Sequence, residues 1–177
     1  MRDRFGAEIT WLAFDLHPEY PPEGIPRAAL IARYGEGMND AMRARFAQQG
    51  LTYNPPPGVV PNTRLAQQLT ELARERGLGR QMHDRLMDAY WAEARNIGDA
   101  DELRALAAEV GIDDPETAWD DPVYLERVLA SSEQAHSVGV TGVPGFVLDR
   151  RLLVLGAQPR ELFEQAFAQL EDGKTGP

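Results

Sequence analysis

There is no cysteine among the 177 residues, and that one absence removes several chemistries together. The chain can form no disulfide, offer no thiol nucleophile, hold no iron–sulfur cluster and build no cysteine zinc site. Lysine is nearly as scarce: Lys174 is the only one, and the arginines that make up the rest of the basic residues do not gather into a patch. The histidines His17, His83 and His136 lie far apart, with no i,i+4 partner and no carboxylate pair at ligand spacing, so no metal site is expected. A phosphate-cradling loop is also missing, since "YGEGMND" follows no strand. No G-x-S-x-G elbow exists, and Ser131, Ser132 and Ser137 beside His136 read as a polar helix end and not as a triad. No apolar run approaches the roughly 18 residues of a membrane span. The start, "MRDRFGAEITW", has charges but no apolar core of a secretory signal, so the expected location is cytoplasmic.

What is present fits one globular domain over residues 1–177, long enough to bury a sizeable core. The formal net charge is −10, from 18 Lys+Arg against 28 Asp+Glu. That excess repels nucleic acid and anionic membrane surfaces, and neither is expected as a partner. The acidic residues are scattered, as on a solvated surface.

Periodicity divides the chain. "AEITWLAFDL", residues 7–16, is a short apolar run rich in β-formers and reads as a buried strand. "HPEYPPEGIP" and "YNPPPGVVPN" are irregular, because their prolines forbid a helix. "NTRLAQQLTELARERG" sets Leu65, Ala66, Leu69, Leu72 and Ala73 on one helical face, with Gly77 as the stop. "RQMHDRLMDAYWAEARNIG" stacks Met82, Leu86, Ala89 and Tyr90. "DADELRALAAEVG" opens with Asp99 and Glu102 at capping-box spacing and directs Leu103, Leu106, Ala107 and Val110 inward. Asp121 and Pro122 are an N-cap followed by a first-turn proline. "GFVLD" and "LLVLG" flank Arg150-Arg151 as a hairpin without the usual glycine, and a last helix with Leu162, Phe163, Ala166, Phe167 and Leu170 on one stripe starts at Pro159. Trp11, Trp91 and Trp119 read as core or core-edge aromatics. The order is strand, irregular segment, about four helices, hairpin, helix: too little sheet for an α/β domain of this length.

Within this order "TGVPGF" stands out. A proline leading into an apolar strand marks a strand edge, in an ordinary trans turn or with a cis bond, and a cis bond could leave neighbouring backbone groups able to pair with an extended peptide.

"GVTGVPGFVLDRRLLVLGAQP" resembles the cis-proline loop, hairpin and final helix start of the DsbA-like thioredoxin family, in particular its FrnE-like branch. "FDLHPEYPPEG", "PNTRLAQQLTELARERG" and "LMDAYWAEARNIGDADELRALAAEVGID" resemble further hallmarks of that branch in the same order, so the likeness runs from Glu8 to Leu170. It implies an α/β, thioredoxin-like fold with a helical insertion over approximately residues 25–137. The family's first strand and Cys-x-x-Cys helix precede the matched part, so the expected fold has its N-terminal β-α portion missing. "MRDRF", running straight into the expected strand, then reads as the tail of a helix, either in a chain begun late or in a natural member that lacks the portion.

The family's chemistry is thiol–disulfide exchange by a low-pKa thiolate. The resemblance therefore implies an oxidoreductase homologue whose catalytic cysteines are absent from this chain, with no catalytic residue to assign. Thr141, Gly142, Val143 and Pro144 are implied to meet substrate, and Val143 to offer its backbone to it. Gly145, where the family suggests a side chain, is expected to loosen the loop. The implied partner is an extended peptide or a small thiol or disulfide, and a homodimer could cover the exposed sheet edge. No cofactor is implied except in a second reading, as a glutathione-dependent isomerase or transferase resembling 2-hydroxychromene-2-carboxylate isomerase or the kappa-class transferases. There Asn62 would face glutathione, although a helix N-cap explains Asn62 more simply. A third reading is a non-catalytic peptide-binding module.

Overall fold

A computed structural model describes residues 2–35, 37–56 and 58–172; Met1, Glu36, Pro57 and residues 173–177, Lys174 among them, lie outside the described residues. In chain order the elements are α1 (Arg2–Phe5), β1 (Ile25–Pro26), α2 (Arg27–Tyr34), α3 (Gly37–Gln48), β2 (Val59–Val60), α4 (Arg64–Glu75), α5 (Gly79–Trp91), α6 (Ala100–Val110), α7 (Thr117–Asp120), α8 (Pro122–Ser137), β3 (Gly145–Leu148), β4 (Leu152–Leu155) and α9 (Arg160–Asp172). The chain divides into two units, His17–Leu129 and Met1–Leu16 with Ala130–Pro177, so that α8 contributes residues 122–129 to the first and 130–137 to the second.

The unit of residues 17–129 is a helical cluster. Leu69, Leu72, Met82, Leu103, Leu106 and Ile112 are at most 1% exposed and form one apolar core with Ala66, Leu86, Ala107 and Tyr124. Apart from Ile112 and Tyr124, these are positions that helical spacing predicts, because i, i+3, i+4 and i+7 fall on one face. Helix α6 starts as its sequence prescribes: the Asp99 carboxylate accepts from the N–H groups of Asp101 and Glu102, satisfying two donors that the first turn leaves open. The Asp121 side chain likewise accepts from Val123 N–H at 3.0 Å at the start of α8. Trp119 packs against the core and donates its indole N–H to the Leu65 carbonyl.

Two features here depart from expectation. Residues 27–48 carry the helices α2 and α3, which the sequence reading left unassigned. The proline-rich stretches meet in a two-residue antiparallel ladder, Ile25 opposite Val60 and Pro26 opposite Val59. Proline is tolerated there because the strands are short and at an edge.

In the other unit, β3 and β4 form an antiparallel hairpin, Gly145 opposite Leu155 through Leu148 opposite Leu152. Phe146, Leu148, Leu152 and Val154 face Phe163 and Ala166 of α9, with Phe146 edge-on to Phe163 at 4.9 Å between centroids. Asp149 and Arg150 take φ of 50° and 54°. These are the left-handed values that tight hairpin turns require, reached here without glycine, and Arg151 N–H closes the turn on the Leu148 carbonyl. Phe5 stacks on Phe167 at 4.3 Å, and Arg4 pairs with Glu164.

The expected buried strand over residues 7–16 is not formed: residues 6–15 have no regular element, and Trp11, expected at the core or its edge, is 42% exposed. The cause lies in where the backbone's hydrogen bonds go. Ser131 donates its hydroxyl to the Ala13 carbonyl, and Asp15 N–H donates to the Ser132 hydroxyl, while Phe14 packs on the His136 ring at 4.9 Å. The segment is thus fastened by side chains of α8. A strand preference is a preference for a pleated, half-buried surface and cannot supply a neighbouring strand.

Candidate functional site

The loop of residues 141–144 is held at both ends and open between them. Helix α8 ends at Ser137 and is followed by Gly139, whose φ of +91° admits the left-handed turn after the helix, and Val140 N–H returns to the Ala135 carbonyl at 2.9 Å. Val140 is then buried, 6% exposed, and fixes where the loop begins. At the other end the Pro144 carbonyl accepts from Gly156 N–H at 2.8 Å, which extends the β3–β4 ladder by one pair. Gly156 itself has φ +77°, a conformation that disfavours other residues.

Between these anchors Thr141 is exposed, Gly142 half-buried and Val143 56% exposed. The Val143–Pro144 peptide bond is cis. Among the described residues neither the N–H nor the carbonyl of Val143 has a hydrogen-bond partner. A donor and an acceptor of one exposed residue are therefore available to an extended chain, the arrangement by which a strand or peptide is captured.

Gly145 has a packing reason. A Cβ there would lie 2.9 Å from Val140 Cγ1 and 3.5 Å from the Gly142 carbonyl oxygen. Glycine here lets β3 pass closely over the buried Val140. Sequence reading missed Val140 and Gly156 as the loop's anchors. The glycine ending "LLVLG" was the available signal for the second.

Asn62 belongs to the other unit, at the entry to α4. Its Oδ1 accepts from Arg64 N–H at 2.9 Å and its Nδ2 donates to the Tyr20 carbonyl at 2.8 Å. Its carboxamide thus already ties the helix start to the loop of residues 17–26.

Electrostatics set the two units apart. Among the described residues, the groups with displaced pKa values lie in the helical unit. Hydrogen bonds from Arg85 and Arg95 hold Glu109 below the usual carboxylate range, Arg127 and Tyr124 do the same for Glu75, and burial lowers His83. A cleft lined by Glu71, Arg74, Glu75 and Arg127 is filled with mutual ion pairs, Arg74 to Glu71 and Arg127 to Glu75 at 2.7 Å each. No titratable side chain lies within residues 137–148, so the loop offers binding groups and no proton-transfer group. Among the described residues no cluster of three His, Asp or Glu is placed to hold a metal, and no helix is long and apolar enough to cross a membrane.

The comparisons bear on the same region. A probable DsbA oxidoreductase from Streptomyces coelicolor is 32% identical and superposes with a TM-score of 0.87 over 99% of this chain and 80% of that one. The uncharacterized protein YwbO of Bacillus subtilis (strain 168) is 27% identical over 94% of this chain and 84% of its own. A structure from Nitrosomonas europaea, 14% identical with a TM-score of 0.65 over 99% of this chain and 87% of that one, shares the fold alone. The DSBA-like thioredoxin domain matches residues 1–168. The helical unit, the hairpin and the open loop between α8 and β3 are thus parts of a thioredoxin-like fold, and the chain belongs to the DsbA-like thioredoxin domain family.

Proposed function

We propose that this chain is a polypeptide-binding member of the DsbA-like oxidoreductase family, of its FrnE-like branch, that holds an extended substrate segment on the loop of residues 141–144. The observation that carries the reading is the exposed, unpaired N–H and carbonyl of Val143 between two anchored ends. In thiol–disulfide exchange a thiolate attacks a disulfide sulfur and a second thiolate leaves. This chain contributes no sulfur to that step, so its own part is to align the substrate backbone.

The reading is tested by amide exchange at Val143 in the full chain, with and without reduced, carboxymethylated insulin B chain. Slower exchange at Val143 on adding the peptide is expected. Unchanged exchange at Val143 with the peptide in excess overturns it. The glutathione-dependent reading receives no comparable support, because one donor and one acceptor of Asn62, the residue it relied on, are already engaged.

A further inference from the structure

The arginines of the helical unit divide by what they touch. Every one from Arg74 to Arg127 pairs with a carboxylate at 3.5 Å or less. Arg27 and Arg43 do not. Among the described residues neither has an acidic partner, and their hydrogen bonds go to neutral oxygens.

Arg27, the first residue of α2, is half-buried. Its backbone N–H donates to the Gly58 carbonyl at 3.2 Å, its Nε to the Pro56 carbonyl at 2.6 Å and its Nη2 to the Tyr90 hydroxyl at 3.2 Å. A guanidinium carries five N–H donors in a rigid fork. Two are used, so three remain open among the described residues. Tyr90 is held in turn, packed against the helical core and edge-on to Trp91 at 4.7 Å between centroids. Its hydroxyl accepts from Arg27 and has its own hydrogen left to donate. Burial keeps that hydroxyl protonated by raising its pKa, against the pull of Arg27.

Arg43 brings a second cation to the same segment of chain. Its Nη1 donates to the Tyr53 carbonyl at 3.3 Å, and its guanidinium lies over the Tyr53 ring. The first turn of α2 has no acidic residue and no capping side chain, so the helix dipole adds to the same positive field. A half-buried cation without a counter-charge is costly, and a chain with 28 acidic residues has many that could have neutralised it. Here the fold fixes the fork through neutral oxygens and leaves its other donors without a protein acceptor among the described residues. Paired, planar donors match the two oxygens of a carboxylate or a phosphate.

We infer that Arg27, together with the Tyr90 hydroxyl, binds a small oxyanion, the carboxylate or phosphate group of a ligand, and that Arg43 strengthens the binding electrostatically. The site lies within the helical unit and does not depend on the reading of the loop at Val143.

The test follows the arginine Nε–H and tyrosine ring resonances of the full chain by NMR while sodium phosphate replaces sodium chloride at constant ionic strength. The Arg27 resonance should shift and saturate, whereas those of the carboxylate-paired Arg85 and Arg95 stay in place. Arg27→Lys keeps the charge and loses the fork; read at the Tyr90 ring, it should weaken phosphate binding by about tenfold. Tyr90→Phe keeps the ring and removes one donor, and should weaken binding by about threefold to tenfold. Arg43→Gln, at an exposed position, should weaken it by about threefold, and less in high salt. The urea midpoint confirms that each variant folds. A parallel titration with sodium acetate separates the sources: saturation by phosphate, by acetate or by both assigns the ligand's group, and saturation by neither overturns the site. Equal binding by the native chain and Arg27→Lys overturns it as well. Loss of the Arg27 response leaves the loop reading standing, and unchanged exchange at Val143 with peptide leaves the oxyanion site standing.

Discussion

Gly145 matters through the space it leaves. Adding one methyl group would drive a Cβ to 2.9 Å from the side chain of buried Val140, and a β-branched residue has few rotamers with which to yield. Gly145→Ala should destabilise the protein by about 1–3 kcal/mol, an overpacking cost, read as a fall in the urea midpoint. Gly142→Ala, three residues away, meets no atom within 4 Å and should leave the midpoint nearly unchanged. An equal loss in both variants would show that loop flexibility, and not contact with Val140, is what glycine provides. At the same scale, Asp99→Ala should cost about 1 kcal/mol, because two N–H groups of α6 lose their acceptor.

At the scale of elements, the longer helices from α4 onward and the β3–β4 hairpin were legible in the sequence, while α2, α3 and the short ladder of β1 and β2 were not. Residues such as Leu69, Leu72, Leu103 and Leu106 repeat at helical spacing, and Asp99 marks a helix start, so each element carries its own signal. The ladder of Ile25–Pro26 with Val59–Val60 has no such signal, because two residues show no period. The segment of residues 7–16 has strand composition, but its hydrogen bonds run to Ser131 and Ser132, a relation over more than 110 residues that no local pattern can announce. Ser131→Ala with Ser132→Ala should therefore speed amide exchange around residues 13–15 without moving that of α4, whose core is separate. The loop of residues 141–144 stood out in the sequence through Pro144 and the family likeness. Its anchoring was not, since Val140 and Gly156 act through contacts that spacing does not reveal.

The whole molecule carries its pH dependence in the helical unit. Burial lowers the pKa of His83 from its ordinary 6.5, opposed by the neighbouring Asp84. The unfolded chain therefore takes up that proton first, and stability falls as pH drops below about 6.5 towards the folded value. A second loss follows below about pH 4.5. There Glu75, Glu109 and Glu116, each held low by arginine hydrogen bonds, are protonated more readily in the unfolded state. His83→Gln should remove the upper limb and keep the lower one, as measured by urea unfolding at pH 7, 6 and 5. If the upper limb survives, another group is responsible for it. With no sulfur nucleophile in the chain, adding the protein to insulin and dithiothreitol should leave the reduction rate at its uncatalysed value.

The bond from Gly156 N–H to the Pro144 carbonyl makes the far strand of the hairpin a support for the loop. Ordering a loop on binding normally subtracts from affinity, and a loop already fastened avoids much of that subtraction. A substitution at Gly156, twelve positions along the chain, would then act as a binding mutation: ligand would be released faster from a loop whose contact residues are all still present.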